Sequence, residues 1–301
     1  MAQGKILLPA GTFWTRIKQQ TEHTLATNAL VSIPTESEFI EQNGVCFLVR
    51  IVSSLARKDE LKQKQEKQNN SSAKDFNPFL PYEQDLFVAD ISDTHVCILN
   101  KYNVAKYHLL LITRAFEEQE SLLTLADFAA MWACMAEFDG LAFYNSGKIA
   151  GASQRHKHLQ LVPLPLTPTA GLQLPIAPLL KFAQFHNSIA TLPGFDFVHA
   201  FAPLNSLWQK SPFTAAQVTL EYYHSLLKAV GLKEKQSKAY NLLVTREWML
   251  LVPRSQECFA SIPVNSLGFA GTFFVRNEQQ MQTLKQHGPM NVLKNVAVPI
   301  N

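Results

Sequence analysis

AGASQRHKHLQLVP, residues 150–163, is the stretch on which the reading of this chain turns. In a β-strand successive side chains alternate between faces, so His156, His158 and Gln160 point one way while Arg155, Lys157 and Leu159 point the other. Two imidazoles and an amide therefore converge on one face. The strand pairs naturally with residues 141–144 (LAFY), because the stretch between them, NSGKIAGASQ, is a turn rich in Gly, Ser and Ala.

Working outward, residues 44–55 (GVCFLVRIVSSL), 86–90, 95–100 and 108–113 are short runs of Val, Ile, Leu and Phe bounded by polar residues, which predicts an antiparallel meander. Residues 124–138 place Leu125, Phe128, Ala129, Trp132 and Met135 at helical spacing, with Thr124 as N-cap and Gly140 just past the end. A Pro-rich stretch, 163–178, closes this first part, since proline lacks the amide proton that a ladder needs. Ser211 and Pro212 then make an N-cap and first residue for a helix ending at Gly231. The hairpin pattern of residues 239–254 echoes that of residues 97–114, an apolar strand, a polar turn and a second strand closed by Arg. The expected architecture is α+β, an antiparallel sheet with packed helices, in one domain over residues 1–301 with related halves at approximately 40–165 and 200–301. Residues 56–75, ARKDELKQKQEKQNNSSAKD, hold few large apolar side chains and are expected to form a mobile, solvated loop.

With 301 residues, 47% of them hydrophobic and 17% charged, the chain can bury a large core. No run approaches the roughly 18 apolar residues of a membrane helix, and the start lacks a secretory pattern, so a cytoplasmic protein without membrane partners is expected. Cys46, Cys97, Cys134 and Cys258 are scattered with no CxxC pair, so neither a disulfide framework nor a structural zinc is expected, only buried reduced thiols. A net charge of +3 is too small to call for nucleic acid but suits a small anionic ligand.

The chemistry follows from the strand. A neutral imidazole is a competent nucleophile near pH 7, since a group of pKa about 6.5 is mostly unprotonated there. Attack on phosphorus would leave a phosphoramidate. Upstream, Gly151, Ala152, Ser153 and Gln154 form a small-residue turn whose amides, with the Ser153 hydroxyl, can cradle phosphate oxygens, and Asn145 is a further donor. An isolated HxH equally fits two surface histidines or half a metal site; the turn before it and Gln160 after it favour phosphorus chemistry.

NSGKIAGASQRHKHLQ (145–160) resembles the active-site segment of diadenosine tetraphosphate phosphorylases, also called ATP adenylyltransferases, of the histidine-triad superfamily and related to galactose-1-phosphate uridylyltransferase. The likeness extends to residues 77–102 (NPFLPYEQDLFVADISDTHVCILNKY), 240–254 and 265–276. The resemblance implies phosphorolysis of diadenosine tetraphosphate by phosphate to ADP and ATP, with His158 as nucleophile, His156 and Gln160 flanking it, and Asn145 with the 151–154 turn on the phosphates. It also implies Asn100 on the ribose, Lys101 beside the nucleoside, Lys58 or its neighbour Arg57 on the polyphosphate, and Asn265, Ser266 and Leu267 in a distal nucleotide-contacting segment. The likeness departs at Thr272 and Arg276, where other members carry Met and Lys, which leaves the Thr272 contact open. No protein-bound metal is implied, though a divalent cation such as Mg2+ can accompany the nucleotide. Hydrolases of the superfamily carry a third histidine where this chain has Gln160, and an amide cannot shuttle a proton, so transfer suits it better than hydrolysis. Uridylyl transfer to a sugar phosphate and a non-catalytic dinucleotide-binding sensor remain as alternatives. A monomer is expected if the two halves pack on each other.

Overall fold

A computed structural model describes residues 5–31, 35–52, 77–103, 105–167, 172–232 and 238–300. The expected loop at 56–75, together with Arg57 and Lys58, lies outside them. Helix α1 (Phe13–Ala26) is followed by β1 (Glu36–Gln42) and β2 (Val45–Ile51), an antiparallel pair. Then come β3 (Phe87–Asp90), β4 (His95–Leu99), β5 (Leu109–Thr113), α2 (Leu125–Met135), β6 (Gly140–Asn145) and β7 (His158–Pro163). After the short α3 (Ala177–Leu180) the order repeats as β8 (Gln184–His186), β9 (Ile189–Thr191), β10 (Ala200–Pro203), α4 (Pro212–Ala229), β11 (Tyr240–Val244) and β12 (Trp248–Pro253). The chain ends with β13 (Cys258–Phe259), β14 (Ile262–Pro263), α5 (Ser266–Phe269), β15 (Thr272–Val275), α6 (Glu278–His287) and α7 (Pro289–Val296).

Ten strands form one sheet in the order β3-β4-β5-β7-β6-β11-β12-β10-β9-β8. The sheet is symmetric about the β6–β11 seam, where Phe143 faces Leu243 at equivalent positions of two three-strand, helix, two-strand units. Hairpin β11–β12 therefore corresponds to β6–β7, and not to residues 97–114 as the hydrophobic pattern suggested. Short apolar hairpins look alike in sequence, and pairing register separates them. Strands β1, β2 and β15 lie outside both units and form a second sheet, with β15 parallel to β2.

Alternation along the strands sorts the core into two layers. Leu159, Leu161, Ala142, Tyr144, Leu242 and Leu251 face a layer with α1, α2 and α4, while Phe143, Val162, Leu243 and Leu250 face β2, β15, α6 and α7. Helices α2 and α4 lock across the seam through Trp132 Nε1–H to Thr219 Oγ1 at 2.8 Å. Thr124 caps α2 in a capping box with Asp127, as expected. The helix stops at Met135, however, and Gly140 opens β6 instead of closing the helix, because a Cβ there would lie 3.0 Å from the Val162 carbonyl oxygen. Ser211 caps α4 as expected. Cys97 and Cys134 are buried, but Cys258 is exposed and Cys46 half-buried, against the expectation of four buried thiols.

Candidate active site

β7 begins only at His158, so His156 lies ahead of the strand and makes an isolated bridge to Glu118. Its ring is nevertheless fixed at both nitrogens. Nε2–H donates to the Thr113 carbonyl at 2.8 Å, and Nδ1 accepts from Asn77 Nδ2–H at 2.9 Å. With both nitrogens engaged, His156 is a strut. Of the two imidazoles expected to converge, one keeps a ring nitrogen unengaged among the described residues.

That one is His158. Its Nδ1–H donates to the carbonyl of His156 at 2.7 Å, which fixes the tautomer and leaves the Nε2 lone pair without a hydrogen bond among the described residues. Burial, to 4% exposure, pushes its pKa down from 6.5 to about 4, so the ring is neutral throughout the physiological range. The ring is braced by Phe79, whose centroid lies 5.3 Å from that of His158 and 5.6 Å from that of His156. The backbone at His158 is held by the buried side chain of Gln119, which accepts from His158 N–H at 2.8 Å and donates to its carbonyl at 3.2 Å and to that of Asn145 at 2.9 Å. An amide is suited to this bridge because it carries an acceptor and two donors on one planar group. Lys157 points to the opposite face as alternation requires, where its buried Nζ meets Asp127 at 2.7 Å, and Asp127 in turn meets His95 at 3.0 Å.

The phosphate-cradle turn is more selective than the sequence implied. The Gly151 and Ala152 amides are spent inside it, on the carbonyls of Lys148 and Gly147, whereas Ser153 and Gln154 N–H make no hydrogen bond among the described residues. Gly151 has φ +91°, and a Cβ would lie 2.9 Å from the Val264 carbonyl oxygen and from Asn265 Cβ, so the turn presses directly on the 264–266 segment. Asn265 caps α5 by accepting from Leu267 N–H at 3.0 Å, while Ser266 and Leu267 are buried as the floor of the turn. Asn145 Oδ1 accepts from Ser266 N–H at 2.9 Å and from Asn241 Nδ2–H at 2.8 Å, which turns the Asn145 NH2 end away from the floor. Behind Asn241 stands Arg254, buried, donating to Asn241 Oδ1 at 2.6 Å and to the Val264 carbonyl at 2.8 Å; burial lowers its pKa from 12.5 to about 10. A cation thus sits under the turn.

Gln160 shares the face of His158, and its Oε1 accepts from His108 Nε2–H at 2.9 Å. Asn100 lies behind His108, with Nδ2 3.3 Å from His108 Nδ1. Lys101 is held at the surface by Glu83 at 2.7 Å. Thr272 opens β15 on the second sheet and is buried, while Arg276 follows the strand and is exposed. Sequence reasoning did not single out Asn77, Phe79, His108, Thr113, Gln119, Asn241 or Arg254. Asn77 and Phe79 stand in the NPFLPYEQDLF segment that carried the resemblance; Gln119 has no local signal at all.

Residues 3–182 match the family model described as the Ap4A phosphorylase N-terminal domain, and residues 193–299 match the ATP adenylyltransferase C-terminal domain. The chain belongs to the Ap4A (diadenosine tetraphosphate) phosphorylase family. Membership makes it a nucleotidyltransferase. Among relatives it is similar to diadenosine 5',5'''-P1,P4-tetraphosphate phosphorylase 2 of Saccharomyces cerevisiae, 26% identical over 285 residues and 81% of each chain. It is also similar to Protein APA1 of the same organism, 26% identical over 214 residues, 60% of this chain and 61% of that protein. The crystal structure of yeast Ap4A phosphorylase Apa2 shares the fold with a TM-score of 0.77 at 22% identity, covering 97% of this chain and 96% of that one. The same fold recurs in the Apa2 complex with Ap4A, TM-score 0.73 at 21% identity, covering 97% of this chain and 99% of that one.

Proposed function

We propose that this family member cleaves Ap4A with inorganic phosphate to ADP and ATP through AMP bonded to His158 Nε2. The observation that carries the reading is the single unengaged nitrogen of a neutral, tautomer-locked His158. In the first step the Nε2 lone pair forms a bond to the α-phosphorus, the bond to the bridging oxygen breaks, and ATP leaves as an anion that needs little protonation. The positive charge that develops on the ring is shared with the His156 carbonyl through Nδ1–H. In the second step a phosphate oxygen attacks the same phosphorus, the P–N bond breaks, and the electron pair returns to Nε2 as ADP departs. Positioning of this kind can supply roughly 7–11 kcal/mol of a barrier. The free amides of Ser153 and Gln154, the NH2 of Asn145 and the cation beneath them are suited to the polyphosphate. That yeast Apa2 has been crystallised with Ap4A and with AMP supports the same substrate class here.

A divalent cation such as Mg2+ would arrive on the nucleotide, held by its phosphate oxygens. The working unit is taken as a monomer, since the β6–β11 pairing joins the two units within one chain, and its place as the cytoplasm, as the sequence led us to expect. No helix among the described residues is long and apolar enough to cross a membrane. The test is product analysis. With phosphate, ADP and ATP should form in equal amounts; without it, ATP release should stop after about one equivalent, the burst of an accumulating intermediate. Steady release of AMP at an undiminished rate in phosphate-free buffer would overturn the proposal.

A further inference from the structure

Three side chains run in a line behind the nucleophile, and the polarity of that line can be read from one end to the other. The main-chain N–H of Tyr102 can only donate, and it donates to Asn100 Oδ1 at 3.3 Å. The NH2 end of Asn100 is therefore the end that faces His108 Nδ1, at 3.3 Å, and that nitrogen must accept. His108 is buried, and burial lowers its pKa from 6.5 to about 4, so the neutral ring carries its single proton on Nε2. Nε2–H donates to Gln160 at 2.9 Å, so the atom facing it is Oε1. The Gln160 NH2 end is then turned the other way, with no partner among the described residues, on the strand face that also bears His158. His108 and His158 are thus locked in opposite tautomers, the first with Nε2–H and the second with Nδ1–H.

We infer that His108 is a positioning residue that holds the Gln160 amide with its NH2 end towards the reacting phosphorus, and that this orientation selects phosphate over water as the adenylyl acceptor. The inference rests on the adenylyl-histidine reading above. An NH2 group donates to an anionic phosphate oxygen and offers an incoming water no acceptor. With the amide reversed, Oε1 would accept a hydrogen bond from water and hold it in line. The water oxygen would bond to phosphorus, the P–N bond would break with its electron pair returning to Nε2, and the water's proton would pass to solvent, releasing AMP. The orientation is worth fixing because the two ends of a primary amide are nearly the same size, so nothing in the packing alone distinguishes them.

The experiment replaces His108 with Phe, which keeps a ring against Phe143, now 5.8 Å away, but cannot donate. It also uses His108→Gln, whose amide can accept from Asn100 at one end and donate to Gln160 at the other. The ratio of AMP to ADP is measured at fixed phosphate, together with the ATP burst in phosphate-free buffer and the affinity for AMP. His108→Phe should raise the AMP to ADP ratio about tenfold, the effect of one oriented hydrogen bond, with the burst amplitude and AMP affinity retained. His108→Gln should return the ratio towards wild type. An unchanged ratio in His108→Phe with an intact burst overturns the role of His108, whereas no burst in the wild type overturns the covalent intermediate itself. If His108→Phe fails to fold, nitrogen NMR of the 15N-histidine-labelled wild type decides: His108 as the Nε2–H tautomer supports the inference, and His108 as Nδ1–H sinks it.

Discussion

The two units of the large sheet share a topology, yet only the first bears the candidate site. Pairing register makes Trp248 the counterpart of His158, Leu250 that of Gln160 and His199 that of His108. In the first unit the β6–β7 connection, residues 146–157, holds the phosphate-cradle turn, whereas β11 and β12 are joined by residues 245–247 alone. Leu250 is buried with Val252 and Leu243 in the second core layer. His199 spends both nitrogens on backbone, donating from Nδ1 to the Phe197 carbonyl at 2.8 Å and accepting Leu192 N–H on Nε2 at 2.7 Å. The corresponding histidine of the first unit is wired instead to two side-chain amides. The difference teaches that this fold is a frame in which the face turned to the second sheet can be polar or apolar, and that a long connection and a few polar side chains distinguish the candidate site.

The second unit is not idle. Asn241 pairs directly with Asn145 across the seam, at a position equivalent to Leu141 of the first unit, and so delivers the Arg254 cation to the turn. The largest contrast should come from substituting the two counterparts. His158→Gln should lower turnover by at least about 10^4-fold, as loss of a covalent nucleophile does, with nucleotide binding retained. Trp248→Phe should leave turnover per folded molecule unchanged and cost only stability, about 1 kcal/mol, read from denaturant unfolding. Equal losses from both would erase the distinction between the units.

Breaking the seam should have an intermediate effect. Asn241→Leu removes one of the hydrogen bonds that hold Asn145 Oδ1 and leaves an Arg254 donor unpaired, so the Kd for AMP should rise about tenfold with a stability loss of about 1–3 kcal/mol. Calorimetric titration that returned wild-type affinity would confine Asn241 to a purely structural role.

The smallest change is expected from acid, where the comparison can be sharpened without mutation. Burial lowers the pKa of both His158 and His108 to about 4, so the rate of the ATP burst per folded molecule in phosphate-free buffer should stay flat from pH 7 to 5 and fall only near pH 4. Burial also lowers the pKa of His199 in the second unit. As pH falls below 6.5 the unfolded chain takes up protons that the native rings exclude, so stability should decline across that window while the burst rate holds. An acid limb of the rate profile near 6.5 would mean that His158 is solvated in the working enzyme.

How far the sequence reaches differs from residue to residue. His158, Gln160 and the 151–154 turn were legible because local spacing alone sets which side chains share a strand face and where a turn of small residues can expose its amides. Helix α2 and its Thr124 cap, α4 and its Ser211 cap, and the β3–β4–β5 part of the meander were legible for the same reason: each depends on neighbours within a few positions. Strand β2, from the run 44–55 expected in that meander, pairs instead with β1 and β15 in the second sheet. The correspondence between the two units was not legible, because a hairpin's identity lies in its pairing register.

What the sequence by itself determined was thus the strand that carries His158 and Gln160, the small-residue turn before it, and the family to which both point, all encoded in contiguous residues and their periodicity. What only the tertiary structure decided was the state of each group: which nitrogen of His158 is unengaged among the described residues, that His156 is a strut, that Gln119 grips the His158 backbone, and that Asn241 and Arg254 complete the turn from the other unit. The physical reason is that tautomer, amide orientation and buried charge are set by partners brought together from distant parts of the chain, where no local pattern records them.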